Sequence, residues 1–192
     1  MKRALARRNL VAAAIVVVIA AVLGGWRSTS SDSTRDRAHY NKGAAQMTSK
    51  TLSRDGVHVG LPAGWSSESF VNASGMIVLR VGSFAFPHAS NDDVGQTARN
   101  SMGPNDVLVN IVDVTATDPG DSNKAYEPVN GSLTVDAAEA RQQEGFSNPA
   151  AIIRGARIDG HNFYVSVAFG SAPPSRAQLA AANGVLHTLG AS

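Results

Sequence analysis

Fourteen consecutive apolar residues, Leu10 to Leu23, follow a short flank that carries Lys2, Arg3, Arg7 and Arg8. An uninterrupted Val/Ile/Ala run placed behind four cations reads as a membrane-directed segment rather than as a core helix. The cationic flank stays on the cytoplasmic side, so the remainder of the chain is expected outside. Leu10, Val17 and Leu23 mark the expected span. Trp26, after Gly24-Gly25, sits where an interfacial aromatic is useful.

Two fates fit this segment. As a helix, residues 10–26 extend about 25 Å, slightly less than a ~30 Å hydrocarbon core, and Arg7, Arg8 and Arg27 can snorkel to cover the difference. This is the expected retained anchor, with the chain held in the bilayer as a single-pass protein. The alternative is a cleaved signal peptide, whose apolar region is typically ~7–15 residues, and which would release the domain. Arg7-Arg8-Asn9-Leu10-Val11 also resembles a twin-arginine export signal.

The segment explains the charge. The chain is +2 overall, and the four leading cations leave residues 9–192 at −2. A mildly acidic domain without a basic stripe has no electrostatic reason to bind nucleic acid. The chain has no cysteine, which excludes disulfides, thiol catalysis, Cys-ligated zinc and a lipidated cysteine anchor.

The expected organisation is a basic flank and membrane or signal segment over 1–27, a flexible polar linker over 28–54 and an extracytoplasmic domain over 55–192. Within the linker, residues 44–52 have the makings of a helical turn. In the domain, Val57, Val59 and Leu61 alternate as a strand, and Pro62-Ala63-Gly64 turns the chain before Trp65. A second strand spans Met76 to Val81, with a possible continuation to Phe86 through a Gly82-Ser83 bulge. Asn91 is placed to cap a short helix that carries Val94, Ala98 and Met102 on one face and stops at Gly103-Pro104. Asp106 to Thr115 is the strongest strand.

Residues 116–131 read as a polar loop, 133–135 as an edge strand and 136–144 as a short helix or turn. Two strands, 151–158 and 162–169, meet at Asp159-Gly160, a strong hairpin signal. Ser175-x-x-Gln178 is a capping box, and Leu179, Ala182, Leu186 and Leu189 form one stripe of the final helix. The expected fold class is α+β: an N-terminal transmembrane helix, then a mostly antiparallel sheet of about five strands packed against a C-terminal helix, with helices on one face.

No motif carries chemistry. His58 and His161 read as solvent-facing strand residues, His88 as a loop residue and His187 as polar helix surface. None are spaced as a metal pair. G-x-S-x-G, S-x-x-K and phosphate-cradling glycine loops are missing. Asp118 to Asn123 fails calcium-loop spacing, and Asp92-Asp93 are read as capping groups. The aromatics, Tyr164 included, read mostly as core, some of them lining a groove for a small apolar ligand. No catalytic, cofactor or metal residue is therefore expected. The expected partners are the lipid bilayer and an envelope protein or small ligand, with an envelope hydrolase or an assembly factor as alternatives.

V-H-V-G-L-P-A-G-W, D-V-L-V-N-I, G-H-N-F-Y-V-S-V-A-F-G and N-G-V-L-H-T-L, in that order over roughly Asp55 to Gly190, resemble uncharacterised single-span or exported proteins of high-GC Gram-positive bacteria. Leu61-Pro62-Ala63-Gly64-Trp65 is similar to the strand-Pro-Gly-Trp start of PsbP/LpqN-like domains. The resemblance implies an α+β fold and assigns no catalytic residue.

Overall fold

The computed structural model describes residues 47–87, 92, 95–118, 126–142 and 150–192. The expected span at Leu10, Val17, Leu23 and Trp26 lies outside them, as do Asn91, Val94 and His88. Among the described residues no helix is long and apolar enough to cross a membrane.

The first element corrects the linker boundary. Residues 47–54, expected to end the linker with a helical turn, form strand β1 (Met47–Arg54), which pairs antiparallel with β2 (Val57–Pro62). Asp55 and Gly56 join them with φ of 47° and 87°. Two left-handed residues in succession give the turn whose twist matches a hairpin, and Asp-Gly is a dipeptide that adopts it readily.

Strand β3 (Ser66–Val71) follows, then β4 (Ile77–Gly82), helix α1 (Gln96–Asn100), β5 (Val107–Asp113) and the two-residue β6 (Glu127–Pro128). Strands β7 (Ala150–Ile158) and β8 (His161–Phe169) and helix α2 (Arg176–Leu186) complete the domain. The main sheet has six strands in the order β3-β4-β5-β8-β7-β6, antiparallel except for β6 against β7. It is an α+β domain with a mostly antiparallel sheet and a C-terminal helix.

The hairpin turn at Asp159 (φ 51°) and Gly160 (φ 83°) forms as expected. So does the capping box of α2: Ser175 accepts from the Gln178 N–H, and the Gln178 side chain accepts from the Ser175 N–H. Other expectations change. The 76–81 strand ends at Gly82 instead of running on to Phe86, because Phe84 and Phe86 fold back as an edge-to-face pair over the sheet. A Cβ on Gly82 would lie 2.7 Å from the Phe86 ring.

Helix α1 is a single turn entered through Gly95. The carboxylate of Asp92 accepts from the Gln96 and Thr97 N–H groups in the capping role expected of Asn91. Residues 136–142 form a 3₁₀ turn at Ala137–Glu139 and a bridge from Arg141 to Ala151, and the 116–131 loop contains β6. Leu133 and Val135 are buried without forming a strand. The Asn183 amide of α2 accepts from the Val135 N–H at 2.8 Å and donates to its carbonyl at 3.1 Å, so a side chain replaces the partner strand.

Both faces of the sheet are covered in part, which corrects the expectation of helices on one face only. On one face Val81, Val109, Ile111, Phe163 and Val167 meet Val185 and Leu186 of α2 and Val57 and Val59 of β2. Each fully buried side chain of this kind contributes about 1.5–3 kcal/mol. On the other face Ala98 of α1, with Phe84, Phe86 and Met102, packs on Leu108, Ala151 and Ala168. All seven residues of β5 are buried because apolar side chains point both ways from it.

Candidate functional site

The second face of the sheet carries a polar row that no single segment displays. Cross-strand register aligns Glu68, Arg80, Asn110 and Ser166 over β3, β4, β5 and β8. Arg80 is fully buried. It donates to the Glu68 carboxylate, to the Asn110 side-chain oxygen at 3.0 Å and to the Asp92 carbonyl, and its guanidinium lies 5.6 Å from the centre of the Phe70 ring.

From α1, buried Arg99 donates to the Ser166 hydroxyl at 2.9 Å. Burial, and then the nearby charge of Arg80, hold the Arg99 guanidinium below its ordinary pKa, with Asp92 opposing them. Under α1, Arg80 is thus paired with Glu68 and, at 3.8 Å, with Asp92, while Arg99 adds a second cation that is bonded to Ser166. This arrangement braces the sheet face from within.

The row ends at Ile153, opposite Ser166 on β7. Ile153 is 45% exposed, and its diagonal neighbour Tyr164 on β8 is 47% exposed. Tyr164, one of the aromatics read as core or groove lining, stands outward opposite Gly155, which offers no side chain. Its ring is held edge-to-face by buried Tyr126, with centroids 6.0 Å apart. Phe163 and Phe169, by contrast, are fully buried in the core.

A second polar cluster lies where β5 ends and β8 begins. His161 Nδ1 is 2.7 Å from Asp113 Oδ2. The other carboxylate oxygen accepts from the Thr115 N–H at 2.9 Å and from its hydroxyl at 2.5 Å. Thr115 in turn accepts from the Asn162 N–H at 2.8 Å. Asp113 is 5% exposed and the His161 side chain 30%, with its ring stacked on Phe163 at 6.1 Å and 16°. His161 is therefore not a plain solvent-facing residue: Asp113, 48 positions earlier, orients it.

The other two described histidines, His58 and His187, make no part of this cluster. His58 is half-buried, with backbone hydrogen bonds to Gly190 that fasten the C-terminus to β2. His187 is exposed at the end of α2. Among the described residues no three side chains are grouped to hold a metal ion. Asp118 accepts from the Tyr126 hydroxyl at 3.1 Å; the rest of the 118–123 cluster lies outside the described residues.

No protein-family model matches the chain, and no curated protein or solved structure matches it either.

Proposed function

We propose that this chain is a membrane-tethered extracytoplasmic domain that binds a protein partner or a small ligand at the cell envelope. The Leu10–Leu23 run behind its cationic flank supports the address, with the N-terminus cytoplasmic and the domain outside. The resemblance to single-span and exported proteins agrees with it.

One observation carries the binding half of the reading: Ile153 and Tyr164 stand exposed as diagonal neighbours on adjacent strands of the sheet. Single exposed apolar residues are ordinary, but an adjacent pair on a rigid platform favours contact with a partner. The charged row on the same face runs through Ser166 up to Ile153, and Tyr126 packs edge-to-face on the Tyr164 ring. Tyrosine suits such a role because it offers a large contact area at a low entropic cost.

A photo-crosslinking amino acid placed at 164 in cells tests this. Adducts are expected at 164 and not at Ala180, which is exposed on α2. Absence of any adduct at 164 in a correctly exported chain contradicts the reading.

A further inference from the structure

We infer that the His161–Asp113 pair is a proton-accepting site, with His161 held as its Nδ1–H tautomer and the Nε2 lone pair offered to a hydroxyl-bearing ligand or to a water. The site stands independently of the Tyr164 surface and of the membrane tether.

The carboxylate is surrounded by donors. Asp113 receives the Thr115 N–H and hydroxyl on one oxygen and faces His161 Nδ1 at 2.7 Å on the other. A carboxylate accepts, so the imidazole proton belongs on Nδ1, and the hydrogen bond made there sets the tautomer. Nε2 then carries the free lone pair. Among the described residues it has no hydrogen-bond partner, and the side chain is 30% exposed.

The ring lies near-parallel to Phe163, with centroids 6.1 Å apart, and Thr115, bonded to both Asp113 and Asn162, anchors the carboxylate to the first residues of β8.

The chemistry is a proton transfer. A ligand hydroxyl or a water gives its proton to Nε2, and the imidazolium formed is stabilised by the Asp113 carboxylate beside Nδ1. The proton then returns to the oxygen or passes to solvent, and no covalent bond to His161 is made. The Thr115 hydroxyl is already bonded to Asp113 and takes no part as a nucleophile.

The test uses the full chain, ¹⁵N-labelled and held in detergent, at a pH above 8. Long-range ¹H–¹⁵N correlations, assigned with His161→Gln, are expected to show Nδ1 protonated and Nε2 bare. Protonation at Nε2 overturns the inference. In Asp113→Asn the preference for Nδ1–H is expected to disappear, and its persistence would remove Asp113 from the account. Should that variant not fold, the wild-type chain still decides through diethyl pyrocarbonate labelling followed by peptide mass analysis. His161 is expected to react faster than exposed His187, and an equal or slower reaction overturns the inference.

Discussion

Arg80 and Glu68 face each other across β4 and β3, and the guanidinium is fully buried while the carboxylate is 16% exposed. Removing one charge from such a pair strands the other. Glu68→Leu is expected to cost about 3 kcal/mol, and Arg80→Met combined with Glu68→Leu less than Glu68→Leu alone. Urea unfolding of these variants and of Arg80→Met alone checks this. Additive losses would mean that the charges are not coupled.

Gly170 lies so close to the 103–104 loop that a Cβ there would sit 1.8 Å from the Gly103 carbonyl oxygen. Gly170→Ala is expected to destabilise by about 3 kcal/mol, because backbone must shift to admit it. Gly64→Ala, at a positive φ but facing open space, is expected to cost about 1 kcal/mol. Thermal melts of the two variants should separate accordingly.

Sequence patterns disclosed local elements and hid whatever the sheet assembles. Asp159-Gly160 announces its hairpin, and Ser175-x-x-Gln178 announces the start of α2. The same dipeptide at Asp55-Gly56 begins a hairpin too, yet the Ser/Thr-rich residues before it look like linker because β1 has little apolar period of its own. Strand β3 reads S-S-E-S-F-V and is hidden for the same reason. Its Glu68 makes sense only once Arg80 is beside it. The Asp113–His161 pair depends on the order β5-β8, and no spacing within either strand signals it. Val135 lacks a strand partner in sequence because its partner is the Asn183 side chain.

Gln178 serves two structures at once. Besides closing the α2 capping box, its amide donates to the carbonyls of Pro104 at 3.3 Å and Asp106 at 3.1 Å, which docks the 103–106 loop. Ser175→Ala removes the hydroxyl of the cap and is expected to cost about 1 kcal/mol. Gln178→Ala also leaves two carbonyls without this donor and is expected to cost about 2 kcal/mol. Equal losses in denaturant melts would show that the loop contact contributes nothing.

Tyr126 is expected to shape alkaline stability. Burial first, then its hydrogen bond to Asp118 and the nearby charges, raise the phenol above its ordinary pKa of 10.0. A group raised in the folded state supports the fold fully below the unfolded value, and that support is lost as pH climbs from about 10 through the folded value. Absorbance titration should show one tyrosine ionising late, and Tyr126→Phe should flatten the decline in stability above pH 10. An unchanged decline would assign it to other groups.

The central claim is a domain held outside the membrane by its own N-terminal segment. Membrane fractionation with intact-mass analysis, combined with protease accessibility in whole cells, tests it most directly. The account predicts a full-length chain in the membrane fraction whose domain is cut only by protease added from outside. Soluble protein whose mass places its first residue near Ala21 or Gly25, or a domain protected inside the cell, would contradict it.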